Sequence, residues 1–236
     1  MKLEIGYNHS FEIRREQCIA NCKDNFSIVY LSDLHLTKFS RSISKRISET
    51  IEQLNPTIVL LGGDYVDSKK GLIELNHFLK SISHRQNVFA VAGNHDYSLG
   101  VCQIQEMMIR NNVVWLEDKT INVNIENSIV KIDGNFITDR AGNTDFSILL
   151  LHKPKHIHTF YENYNLALAG HLHGSQVVFW ESNDELFPGR LFYRWNILKK
   201  KKDKCYYFIS KGLGDTLPIR YNCKRDLLFI QVTNNN

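Results

Sequence analysis

Ten histidines occur in a chain of 236 residues; four of them sit in short motifs with aspartate, asparagine and glycine, and a fifth, His152, closes an apolar run. These residues are the ones best able to do chemistry. In order, the motifs are Asp33-Leu34-His35, Gly63-Asp64-Tyr65-Val66-Asp67, Gly93-Asn94-His95-Asp96, a single His152, and Gly170-His171-Leu172-His173-Gly174. Singly, most are weak signals, and a lone histidine after a strand is usually an ordinary loop residue. The Gly170–Gly174 stretch says more, because two imidazoles one residue apart between glycines suit a metal. Taken together, the carboxylates would repel and raise each other's pKa if crowded at one place, unless cations held them. Carboxylate oxygen mixed with imidazole nitrogen suits Mn, Fe or Zn rather than Ca or Mg. The donors exceed what one ion needs and a carboxylate can bridge two, which predicts a dinuclear centre with ions about 3.5–4 Å apart.

Such a centre requires elements that bring distant motifs to one rim. Apolar runs ending in polar residues predict buried strands over Phe26–Asp33, Thr57–Asp64 and Asn87–Asp96. Helical spacing predicts helices over Arg41–Leu54, stopped by Asn55-Pro56, over Leu72–Ser83 and over Val101–Asn111. Three strand–loop–helix units in succession imply parallel pairing with helical crossovers, and ligands of such sheets gather beyond the carboxyl ends of the strands. The second half reads as further strands, at Val113–Leu116, Ile121–Ile125, Ile129–Asp133, Ser147–His152, Leu166–Ala169, Gln176–Trp180, Tyr206–Ser210 and Asp226–Val232. A helix is expected over Lys155–Tyr161, low complexity at Lys199–Lys202, and no internal repeat is found.

The order D-x-H, GD-x-x-D, GNHD, H, GHxHG resembles the calcineurin-like metallophosphoesterases. The run Ile209–Ile230, with its Gly-Leu-Gly and Pro-Ile-Arg, resembles a bacterial subgroup that includes membrane-associated phosphodiesterases. The resemblance implies an α/β fold, an αββα sandwich of two packed mixed β-sheets flanked by helices. Carried over by motif, Asp33, His35 and His173 would hold one ion, Asn94, His152 and His171 the other, and Asp64 would bridge them. His95 would face the substrate as general acid, with Asp67 orienting it. The implied reaction is attack of a metal-bridging hydroxide on phosphorus, cleaving a phosphodiester or pyrophosphate, with a nucleotide- or lipid-linked substrate as a candidate. Leu172 and Ser175 depart from the subgroup pattern beside the proposed ions.

Other readings are a phosphomonoesterase or phosphoprotein phosphatase, or a non-catalytic module that binds metal. Ser68-Lys69 stands where phosphoprotein phosphatases of this superfamily place an arginine, and retention of every motif position counts against a non-catalytic module. Arg220 can bind substrate phosphate bidentately or make a structural ion pair. Residues 183–204 form a candidate substrate- or membrane-facing insertion, since Phe187, Phe192, Tyr193 and Trp195 interleave with Arg190 and Arg194 ahead of the lysine run. A surface hairpin with solvated lysines is the plainer account. Asn143 and Lys153 carry no assignable role, and His9, His77, His84, His156 and His158 read as ordinary residues.

The chain has 29 basic and 25 acidic side chains and a net charge of +4, too small to argue for nucleic acid. With 43% apolar and 23% charged residues it is not a disordered chain. No apolar run approaches the roughly 18 residues of a membrane span, and the charged N-terminus lacks a signal region. One soluble domain over 1–236 is expected, cytoplasmic or peripheral to a membrane, with unassigned oligomeric state. Five scattered cysteines without a CxxC pair fit reduced thiols. Cys18 and Cys22 alone are too few for structural zinc.

Overall fold

Strands buried on both faces read as nearly continuous apolar runs, and Phe26–Leu31 and Ile58–Leu61 are of this kind. Their successive side chains point to opposite sides. Val29, Leu31, Val59 and Leu61 pack with Ile43, Ile47 and Ile51 of helix Arg41–Leu54 and with Leu75 and Leu79 of helix Leu72–Ile82. Ile28, Tyr30, Ile58 and Leu60 face the other way, against Ile148, Leu150, Leu166 and Leu168 of a second sheet. Phe26 and Phe146 meet edge to face across this middle layer, with ring centres 5.3 Å apart.

The computed structural model describes residues 2–6, 10–138 and 144–235; His9 and Asn143 lie outside them. The first six-stranded sheet runs in the order Phe11–Ala20, Arg225–Asn234, Phe26–Leu31, Ile58–Leu61, Val88–Ala90, Val114–Trp115. Its last four strands are parallel, and Arg225–Asn234 is antiparallel to Phe26–Leu31 but parallel to Phe11–Ala20. The second runs Lys199–Lys202, Cys205–Ile209, Leu166–Ala169, Phe146–Leu150, Ser128–Gly134, Thr120–Ile125, with its four central strands parallel and both edge strands antiparallel. Two packed mixed sheets flanked by helices are therefore the fold, as expected. The helices lie on the outer face of the first sheet. The outer face of the second is closed by Ile157, Phe160 and Tyr164.

Among the elements that differ from expectation, three are instructive. Phe11–Ala20 is a strand that the sequence pattern concealed. Lys155–Tyr161 holds a single 3₁₀ turn, Ile157–Thr159, in place of a helix; its buried Ile157 and Phe160 satisfy the i, i+3 spacing of either conformation. The lysine run is an edge strand, paired with Cys205–Ile209 through its backbone while its side chains reach outward. Edge lysines oppose further strand addition.

Residues 183–204 thus include strand Glu185–Pro188, paired with Val178–Ser182, a short helix Gly189–Phe192 and this edge strand. No helix among the described residues is long and apolar enough to cross a membrane. The cysteines are unpaired.

Candidate metal centre

Three of the parallel strands, Phe26–Leu31, Ile58–Leu61 and Leu166–Ala169, end in sharp turns that carry polar side chains. Asp33, His35, Asp64, His171 and His173, five of the seven proposed ligands, have positive φ, between 43° and 74°. Non-glycine residues held there cost on the order of 1–3 kcal/mol each and cluster at functional sites. Gly93 lets two of these turns touch: a Cβ at this position would lie 2.1 Å from Asp64 Oδ1.

Among the groupings of donors close enough to share one ion are Asp33, His35 and His173, and Asp64, His152 and His171. His35 Nε2 and His173 Nε2 face each other at 3.2 Å. His35 Nδ1 lies 2.5 Å from Asp67 Oδ1, and His173 Nδ1 is 3.3 Å from the Gly214 carbonyl. Each Nδ1 therefore has an oxygen to donate to, which leaves the two Nε2 atoms facing each other, able to offer lone pairs to one ion once neither carries a proton. Arg220 Nη2 also approaches His173 Nδ1, at 3.4 Å, but it donates to the same Gly214 carbonyl at 2.8 Å. Two donors cannot bond each other, so the His173 approach is a contact only.

The second group follows the same logic. His152 donates from Nδ1 to the Gly62 carbonyl at 2.8 Å, which turns Nε2 toward Asn94 Oδ1 at 3.0 Å and Asp64 Oδ2 at 3.3 Å. Asp64 Oδ2 is also 3.9 Å from His35 Nε2, so this carboxylate stands between the groups. Neutral imidazoles oriented by a hydrogen bond on their other nitrogen are the usual arrangement of metal-bound histidines. The donor set fits divalent ions.

Without an ion, protons on the imidazoles balance the carboxylates instead. Burial opposes ionisation of Asp64, but the His152 hydrogen bond and the charges of His152 and His35 bring its carboxyl down to about 2. Burial likewise opposes charge on His152, yet Asp64 and Asp33 raise it to about 9. His173 is pushed down to about 4 by burial, outweighing the pull of Asp33. The His171 imidazole is lowered, again by burial first. Its backbone N–H donates to both carboxylate oxygens of Asp33, at 3.1 and 3.0 Å.

His95 sits at the rim with its side chain 40% exposed, and its Nδ1 is 3.8 Å from Asp67 Oδ1. The short hydrogen bond of Asp67 goes to His35, so this carboxylate is shared between the two rings. Arg220 makes the structural ion pair that was one of its two readings. It is 1% exposed and bonds Asp215 at 2.6 Å and the carbonyls of Lys211, Gly214 and Cys223 at 2.9, 2.8 and 3.1 Å. Its guanidinium is committed to these partners and braces the Gly212–Gly214 turn, which packs on the candidate ligands. A Cβ on Gly214 would lie 2.6 Å from that of His35.

Several contributors escaped the sequence reading. Asp96 accepts the backbone N–H groups of Gly93, Asp64 and Tyr65 at 2.7–2.9 Å, fixing both turns, while burial raises its carboxyl to about 6. Its place in the GNHD motif was the available signal. Asn135 accepts from the His152 N–H and donates to Glu117, which in turn accepts from Ala92 N–H. No sequence pattern marks Glu117.

A model of the calcineurin-like phosphoesterases matches residues 26–175, the span that holds all seven candidate ligands. The chain belongs to this family. It is accordingly a hydrolase of phosphoric esters, as its relatives' names also indicate. The metallophosphoesterase YkoQ of Bacillus subtilis (strain 168), named as uncharacterized, is 28% identical over 231 residues, covering 89% of this chain and 84% of that protein. Phosphodiesterase YaeI of Escherichia coli (strain K12) is 26% identical over 266 residues, covering 97% and 92%. The UDP-2,3-diacylglucosamine pyrophosphatase LpxG of Chlamydia trachomatis is 40% identical over 76 residues, 30% of this chain and 22% of that protein. Some curated relatives are longer, the chain spanning 60% of one and 56% of another.

Proposed function

We propose that this phosphoesterase cleaves a phosphodiester or pyrophosphate bond at a dinuclear centre. Asp33, His35 and His173 would hold one ion, Asn94, His152 and His171 the other, with Asp64 between them. The observation that supports this reading is the pair of inward-facing imidazole–carboxylate groups with one carboxylate between them. Divalent Mn, Fe or Zn bound there would lower the pKa of water and polarise the phosphoryl oxygens.

The chain's own residues supply the rest. His95, exposed at the rim beside Asp67, is positioned to give a proton to the departing alkoxide. Such acid catalysis is worth about 10²–10⁴ in rate. Asp67 simultaneously orients His35, so it couples the proton donor to the ligand set. Gln176, three residues past His173, donates to the Leu217 and Ile219 carbonyls at 2.7 and 3.0 Å, bringing two exposed apolar side chains next to the ligand loop. Exposed Phe179 continues that surface by packing its ring 5.9 Å from Tyr221. This apolar margin, with the pyrophosphatase named among the relatives, supports a lipid-linked substrate over a fully polar one.

The test is hydrolysis of bis-(p-nitrophenyl) phosphate against p-nitrophenyl phosphate with added Mn²⁺, with and without chelator. Faster cleavage of the diester, abolished by chelation, is expected. Preference for the monoester would favour the phosphatase reading, and chelator-resistant cleavage would refute the metal centre.

A further inference from the structure

On the outer side of the second sheet lies a cavity of about 350 Å³, built by residues 183–200 over the turn that carries His156 and His158. None of its lining residues is a candidate metal ligand. The lining is dominated by donors. Glu185 is its single carboxylate and already pairs with Arg190 at 2.8 Å. Lys199 is directed toward Glu16 and Asp184, at 3.5 and 3.9 Å. Arg194 and Lys200 have no carboxylate within 4 Å among the described residues.

The two imidazoles add to this set. His156 Nδ1 accepts the His158 backbone N–H at 3.3 Å, and His158 Nδ1 accepts from Lys202 Nζ at 2.5 Å. Both rings therefore carry their proton on Nε2 and can only donate there. They lie 4.9 Å apart, with Trp195 edge-on to His156 at 5.3 Å. His156 is held below the ordinary imidazole range, by desolvation first and then by the charges of Arg194, His158, Lys200 and Lys202. A concave site with an aromatic wall, two cations lacking carboxylate partners and two N–H donors is short of one thing, a negative charge.

We propose that this cavity binds a phosphate-bearing anion, at a site separate from the metal centre, with Arg194, Lys200, His156 and His158 as its donors. The phosphate has two candidate sources. A soluble phosphorylated compound can enter from solvent. Alternatively, Leu191, Phe192 and Tyr193, which are 70%, 78% and 57% exposed between Arg190 and Arg194, can lodge in a lipid surface and present a headgroup phosphate to the cavity.

The experiment titrates the Zn²⁺-loaded protein with inorganic phosphate while following the imidazole nitrogen resonances of His156, His158 and His171. Saturable shifts at His156 and His158 are expected, with a midpoint distinct from that at His171, which reports the metal centre. The double variant Arg194→Ala/Lys200→Ala should weaken the first response by about tenfold or more while leaving the His171 midpoint in place. Sedimentation with phosphatidylcholine vesicles, with and without phosphatidic acid, separates the sources. Binding that requires phosphatidic acid and is lost in the variant identifies a lipid-borne phosphate, and indifference to vesicles identifies a soluble one. Unmoved His156 and His158 resonances while His171 responds would overturn the proposal, whatever the variant does. An undiminished response in a folded variant would do the same.

Discussion

Arg220→Ala separates a structural arginine from a substrate-binding one. In the folded protein its guanidinium holds Asp215 and three buried carbonyls, of Lys211, Gly214 and Cys223. Removing one partner of a buried ion pair costs about 3–5 kcal/mol. Asp215 keeps Arg225 as a second partner, through Nε at 3.1 Å, which places the cost toward the lower end, about 3–4 kcal/mol. The orphaned carbonyls prevent it from being smaller, since an unmet buried polar group costs about 1–3 kcal/mol. In a chain of this size each kcal/mol lowers Tm by about 2–4 °C, so a fall of roughly 10 °C is expected by thermal unfolding monitored with circular dichroism. Metal affinity should fall too, because the Gly212–Gly214 turn that the arginine braces packs against His35 and His173. A variant with unaltered Tm and a raised KM alone would refute this reasoning and restore the phosphate-binding role.

Asp67→Asn should lower metal affinity and turnover together, each by about 10–100-fold, because the one carboxylate serves His35 and His95. His95→Ala should lower turnover by about 10²–10⁴ with metal content intact. Elemental analysis beside kinetics distinguishes them, and wild-type metal affinity in Asp67→Asn would exclude the sharing. Gly93→Ala should reduce turnover at least about 100-fold, since its Cβ must displace Asp64 and misplacements near 1 Å cost that much; a near-native rate would mean the two turns are looser than described.

The parts of the fold that could be read in advance are those where burial and chemistry coincide. Phe26–Leu31 and Ile58–Leu61 are apolar because both faces are covered, and their polar ends mark where the chain leaves the sheet. Phe11–Ala20 escaped because it is an edge strand, with Glu12, Arg14, Arg15 and Glu16 diluting the alternation. Lys199–Lys202 looked like a solvated run because edge pairing is a property of the backbone. Within the site, the motif residues that the fold brings together were legible from their spacing. The choice that Asp67 makes between His35 and His95, and that Arg220 makes between substrate and Asp215, depends on distances that no spacing encodes.

The left-handed turns at Asp33, His35, Asp64, His171 and His173 also restrict how this protein can change over generations. β-Branched residues are excluded from such backbone whatever chemistry they offer, while asparagine and glycine adopt it readily. A lineage that abandoned hydrolysis but kept the scaffold would therefore be expected to show Asn and Gly at these five places, rather than Val, Ile or Thr. Catalytic decay in this protein has a restricted alphabet, set by the torsion angles and not by the metal.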